Sequence, residues 1–559
     1  MREDMVRTRT LREHFFRRFF DSDTLSLEAE TQTTVIRALS TCAVPGLMVV
    51  FWLMPHNVNR PFWAVAADRY FFVLYSFVAM GMVATFEWEM LFPDRADFLI
   101  LLPLPLRRGE LFVAKGRALL IFLGLFLCAA NLFATITFPA LSTPKGGIYL
   151  YTVWAHFVAV AMAGSFAAMS MLAVAGISMC LLPLRWFRLI SSVIQSLSIT
   201  VLLLLMLLFP LASSHLPMLL ESGAGVSRWI PPIWFLGLYE QLMLGGYAPA
   251  GCATLASIGM WATATAVIVA VAIYPMAWAR QKKRALEGTL QTTGQRRSWM
   301  AALLHRTLLK RAQQRAIFHF IGQTMARNAR YQIYLAIYAG VGLAMALCSV
   351  VTLKAGARSG AGLGLSNLGL HAALPLLLFW MVSGLRAAFA FPVDMRARWI
   401  FPISLPYPGS DAKAAKTWVL LCCGALTCTM LALLTAAGWG VRELAVQAIW
   451  GFGLSLLLVD LFFVGRTQIP FTRPRMPGRA SLPIVFSLYA VVFPALVLSS
   501  MQVERSAETR IRVVLWIVAG IATAHVLLMG VDKLAQRGII GGFPEDEEDD
   551  GPQTLGLFQ

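Results

Sequence analysis

The feature that most limits what this chain can become is a series of apolar runs, separated by shorter polar intervals. A hydrocarbon core about 30 Å thick needs about 20 helical residues to cross it, and only helices and closed barrels satisfy their backbone polar groups there. The runs fall near residues 38–54, 70–90, 117–141, 152–183, 189–213 and 251–279. After a polar interval they resume near 331–353, 368–390, 417–438, 445–465, 481–501 and 512–530. Composition agrees, with 58% hydrophobic and 14% charged residues, where a soluble domain carries roughly 25% charged. A water-soluble globule is excluded, and so are a disordered chain, a collagen and a secreted disulfide scaffold. The expected fold is all-α: a polytopic helical membrane protein of about 12 transmembrane helices in two pseudo-repeats of six.

The chain carries 47 Lys+Arg against 29 Asp+Glu, a formal +18. The position of that charge argues for orientation in a membrane and against nucleic acid, because Lys and Arg near span ends are retained on the cytoplasmic side. The interval 280–330 holds Arg280, Lys282, Lys283, Arg284, Arg296, Arg297, Arg306, Lys310, Arg311, Arg315, Arg327 and Arg330 against Glu287. Arg466, Arg473, Arg475 and Arg479 mark a second inside loop, whereas 214–250, with Arg228 against Glu221 and Glu240, reads as an exterior loop. Twelve spans put both termini inside. The expected organisation is a cytoplasmic amphipathic segment 1–37, a six-span half 38–279, a basic linker 280–330, a second half 331–530 and an acidic tail 531–559. A cleavable signal peptide is not expected, since the chain opens polar and Arg-rich. The eight cysteines lie in or beside apolar runs without ligand spacing and read as small core hydrophobes.

Phe15, Phe16, Phe19 and Phe20 recur at the spacing of one helical face, with Arg17 and Arg18 between them. Leu303, Leu304, Leu308 and Leu309 repeat the pattern. Either helix could lie among lipid headgroups or pack on the protein's own cytoplasmic ends. The run Glu545 to Asp550 is a solvated acidic tail.

The most informative feature is a duplication. At a fixed offset of 301 residues, Arg95, Ala96, Leu104, Pro105, Ala114, Lys115, Leu119 and Leu120 recur as Arg396, Ala397, Leu405, Pro406, Ala415, Lys416, Leu420 and Leu421, and Glu110 is answered by Asp411. Leucine matches between apolar segments are cheap, so the weight rests on Arg, Pro, the acidic residue and Lys in one register. Six spans separate the copies, so both face one side, and the charges make it the cytoplasm. The repeat is parallel, unlike the inverted repeats of many ion-coupled carriers. Locally, Asp94 can cap a short surface helix with Asp97 at its third position, and Pro103 and Pro105 end it. Glu110 then opens the next helix at its positive end, with Lys115 one turn on and able to reach the interface.

The stretch from Leu104 to Lys115 resembles the segment between the second and third spans of ABC exporter permeases, where a cytoplasmic coupling helix is followed by a proline turn, an acidic residue and a Gly-Lys or Ala-Lys pair. Glu87 to Arg95, and Pro231-Pro232-Ile233-Trp234-Phe235, are similar to an uncharacterised bacterial branch of that family. The resemblance implies that 94–102 and 394–403 are coupling helices docking on a nucleotide-binding subunit, in two copies. Asp94, Arg95, Asp97, Phe98, Arg107 and Arg108, with Asp394, Arg396, Arg398 and Trp399, are then the contact residues. Pro408-Gly409 stands where the first copy has Arg107-Arg108, which implies unequal docking sites. Family permeases commonly supply six spans and dimerise, whereas this chain holds both sets. It would sit in a bacterial inner membrane.

The chain has no G-x-x-x-x-G-K-[ST] phosphate loop, so ATP and Mg are expected in the partner and no cofactor or catalytic activity in this chain. Among ionisable residues near the bilayer, Glu87 and Glu89 face Arg386 across the gapped repeat, which suggests an ion pair between halves. Asp460 is the clearest intramembrane carboxylate, and His156, His371 and His525 read first as satisfied structural donors. The expected function is an ATP-driven exporter permease. An ion-coupled secondary transporter, with Asp460 and the histidines lining its path, and a non-transporting membrane scaffold are the alternatives.

Overall fold

The computed structural model describes residues 2–20, 31–54, 60–88, 90–92, 97, 100–101, 108–143, 147–221, 227–286, 309, 311–356, 360–390, 410–464, 470–471, 493–494, 496–500, 502 and 511–536. The chain divides into two compact units, one of Met1–Thr293 with Leu353–Leu363, the other of Gly294–Thr352 with Gly364–Gln559. The protein is helical. Nine helices among the described residues are long and apolar enough to cross a membrane by length and composition, and Leu39–Leu53 and Tyr334–Val350 are shorter apolar helices at the first and seventh expected spans. The expected span 481–501 lies for most of its length outside the described residues.

The first unit contains α1 (Arg2–Phe20), α2 (Thr31–Leu53), α3 (Phe62–Phe86), α4 (Arg108–Ser142), α5 (Tyr149–Leu181), α6 (Leu184–Leu207), α7 (Phe209–Ser214), α8 (Leu216–Glu221), α9 (Pro231–Leu244) and α10 (Cys252–Leu286). Helices α3 and α5 form its centre. The buried face of α5 runs through Ala155, Ala159, Ala163, Gly164, Ala167 and Ala168, small residues that let neighbouring backbones approach. α4, α9 and α10 pack around α5, and α6 packs on α3. α1 lies along α4. At 35 residues, α4 and α10 reach roughly 50 Å, well beyond a hydrocarbon core.

Two boundaries differ from the sequence reading for one reason. α3 begins at Phe62 and α4 at Arg108, about two turns before the expected 70 and 117, because each helix continues through charged residues that a hydropathy window rejects. Asp68 and Arg69 therefore lie inside α3. The expected exterior loop 214–250 is also largely helical, holding α8, a 3₁₀ turn at Ser227–Trp229 and α9.

The second unit contains α11 (Ala312–Arg327), α12 (Ala329–Val350), α13 (Asn367–Phe389), α14 (Ser410–Ala436), α15 (Val441–Phe462) and α16 (Ile511–Gln536). α12 pairs with α13, α14 and α15 pack on α13, α11 lies on α14, and α16 lies on α15. α12 and α13 approach closely at Gly369, where a Cβ would fall 1.9 Å from the Ser349 carbonyl oxygen. The expected amphipathic segment at Leu303, Leu304 and Leu308 lies outside the described residues; after it, α11 starts at Ala312 and buries Ile317, Ile321 and Met325. The departure from an all-α fold among the described residues is a two-stranded hairpin of β1 (Val351–Gly356) and β2 (Gly360–Leu365). Its second strand alternates Gly with other residues, a composition with poor helix propensity.

Candidate functional site: buried charge at the two ends of the first unit

At the end of the first unit that carries α1, the helix turns Phe15 and Phe19 inward, 0% and 1% exposed. Phe19 stacks on Phe122 of α4 with ring centroids 4.8 Å apart. Beneath them lies Lys115 of α4, 1% exposed. Its ammonium sits 5.0 Å from the Phe15 ring centre and 4.6 Å from that of Phe19, within reach of the ring quadrupoles. Lys115 was expected to extend to the interface; α1 covers it instead. The same end gathers Trp88, Leu91 and Phe92 beyond α3, Leu111 and Ala114 of α4, and Tyr274 and Trp278 of α10 into one apolar cluster. The Tyr274 hydroxyl donates to the Leu91 carbonyl at 3.4 Å.

Glu87, the residue that caps α3, is buried here, and so is Asp97. Glu110 lies in the first turn of α4, as expected. Asp97, Ile100 and Leu101 are helical. Asp97 is 3% exposed. Glu89, Asp94, Arg95, Phe98 and Arg107 lie outside the described residues, as do Asp394, Arg396, Arg398 and Trp399, and nothing is described of the Arg108 side chain.

At the opposite end of the same unit is a cluster the sequence reading did not assemble. Arg69 of α3 donates from one terminal nitrogen to Glu240 of α9 at 2.7 Å, and the two side chains are 4% and 0% exposed. The Arg69 guanidinium carbon lies 5.2 Å from the ring centre of Tyr239. His156 of α5, fully buried, shares a 3.1 Å hydrogen bond with the Tyr239 hydroxyl through Nδ1, and its ring packs against the paired rings of Phe72 and Phe138. Asp68, one residue before Arg69, pairs with Arg60. Arg69 Nε, Glu240 Oε1 and His156 Nε2 have no hydrogen-bond partner among the described residues. Each such atom disfavours the arrangement by about 1–3 kcal/mol relative to its hydrated state. Burial raises the Glu240 carboxyl above its ordinary pKa, opposed by the positive charge and hydrogen bond of Arg69.

Both halves of this pair were hidden from sequence reasoning. Arg69 stood just outside the expected second span and Glu240 in an expected loop, 171 residues apart. The available signal was the aromatic, proline-started segment Pro231–Leu244, too apolar for an ordinary exposed loop.

In the second unit, Lys416 donates to Asp532 of α16 at 2.7 Å, with both side chains about one-sixth exposed. Asp460 of α15 pairs with His525 of α16. Arg386 lies over the Phe462 ring at 5.6 Å. It and Glu87 belong to different units. Among the described residues no group of three or more His, Cys, Asp or Glu could hold a metal ion. The cysteines are free thiols; Cys252 and Cys423 are buried as core hydrophobes, but Cys128 and Cys428 are exposed on apolar helices.

The chain matches no family model, no curated protein and no solved structure.

Proposed function

We propose that the chain is the membrane-spanning permease subunit of an ATP-driven exporter of the ABC type, with two six-span halves in one polypeptide and ATP and Mg held by a separate nucleotide-binding subunit. The observation that carries this reading is the register of the duplication. Each proline-flanked segment runs into a long apolar helix, α4 or α14, and the matched lysines, Lys115 and Lys416, are each held inside their own unit. Of the helices between the copies, six are apolar and long enough, or nearly so, to count as spans, namely α4, α5, α6, α10, α12 and α13. That even number supports a common side for both. A further parallel supports it: α1 lies on α4 as α11 lies on α14.

In this reading the cytoplasmic segments 94–102 and 394–403 are gripped by two copies of the ATPase. The partner binds ATP more tightly in its closed state, and that difference is the free energy available to rock the halves. The test is gentle purification from the native membrane. An ATP-binding protein should accompany the wild-type chain and be lost from an Arg95→Glu, Arg396→Glu double variant. Its absence from the wild type, or its retention by the double variant, overturns the proposal.

The Asp460–His525 pair favours a second reading, an ion-coupled carrier, since intramembrane carboxylates and histidines mark proton relays. Depleting ATP while an ion gradient is maintained stops transport under the first reading and spares it under the second.

A further inference from the structure

With 14 residues, α9 is too short to cross a bilayer, yet Pro232, Ile233 and Phe235 through Glu240 are all buried. It lies across the start of α10: a Cβ on Gly237 would fall 3.2 Å from the Cys252 carbonyl oxygen, so the two backbones nearly touch. Cys252 itself is 0% exposed. One charged contact, Arg69 to Glu240, ties α9 to α3. Around it, three polar atoms of Arg69, Glu240 and His156 have no hydrogen-bond partner among the described residues, and all three side chains are more than nine-tenths buried. Apolar packing and one ion pair hold this seat, while the desolvated polar atoms favour access to water.

We propose that α9 is a latched lid on the first unit. With the Arg69–Glu240 pair made, it covers the polar cluster and the first turn of α10. With the pair broken, it lifts and admits water to Arg69, His156 and Cys252. The inference uses the first unit alone and stands apart from the ATPase partner proposed above.

Cys252 is a built-in reporter. The full-length chain in membrane fragments, open from both faces, is treated with a water-soluble maleimide, and labelling at each cysteine is followed by peptide mass spectrometry. With rates compared per thiolate, the thiolate fraction being taken from the pH dependence of labelling in each variant, Cys252 should label slowly in the wild type and at least about tenfold faster in Glu240→Gln, the scale expected when a buried charge loses its partner. Cys180, half-buried near the other end of α5, should label at an unchanged rate. The swap Arg69→Glu with Glu240→Arg should restore slow labelling of Cys252. Equal Cys252 rates in the wild type and Glu240→Gln overturn the latch. Faster labelling of Cys180 together with Cys252 shows general loosening and also overturns it, as does a swap that leaves Cys252 fast.

Discussion

Lys115 shows how much one side chain's surroundings can change its meaning. A lysine at the end of a span ordinarily extends its stem along apolar surface and keeps its ammonium wet. Here two phenyl rings close over the ammonium, and Phe19 also stacks on Phe122 of the same helix. Phe19 should therefore carry much of the docking of α1. Phe19→Ala removes a buried ring and is expected to destabilise the purified protein by about 3–5 kcal/mol. Phe19→Leu keeps most of the apolar volume and loses the ring contacts, about 1–2 kcal/mol. Thermal unfolding in mild detergent measures both, and equal stability of the alanine variant and the wild type would remove α1 from the fold. The helical spacing of Phe15 and Phe19 was legible in the sequence. Which surface they meet was not, because a headgroup layer and the flank of α4 ask for the same pattern.

Elements were legible in proportion to their length and apolarity. Helices such as α5 and α10 are long and apolar enough that no local competition could hide them. α9 failed that test at 14 residues, and its charged partner Arg69 sits in a different helix, so its burial left no local trace. The pairing of α16 was equally silent. No residue in the most apolar window of that helix is buried, yet His525 and Asp532, two turns apart on one face, reach Asp460 and Lys416. Polar contacts between membrane helices average about 0.6 kcal/mol and reach about 1.7. Asp460→Asn should thus weaken α16 docking by about 1 kcal/mol, and Asp460→Asn with Lys416→Met by about 2. Hydrogen exchange along 511–536 reads this directly. Exchange in the double variant that matches the wild type would mean that apolar contacts with α15 hold α16 without help from the charges.

At the scale of the whole molecule the governing quantity is parity. An even number of crossings returns the carboxyl terminus to the side of the amino terminus, and an odd number does not. The proposed count of twelve depends on the stretch 481–501, most of which lies outside the described residues. Terminal tags decide the matter. In inverted membrane vesicles both tags should be cut by added trypsin, together with the basic linker 280–330, while Arg228 beside α9 stays protected. In right-side-out vesicles the pattern should reverse. A carboxyl-terminal tag cut only from the opposite face would remove one span from the second unit. The duplicated segments would still share a side in the proposed reading, because the six apolar helices taken as spans between them all precede that stretch. A linker 280–330 protected in inverted vesicles and cut in right-side-out ones would do more damage. It would put 94–102 and 394–403 on the outer face, where no ATP-binding partner could reach them.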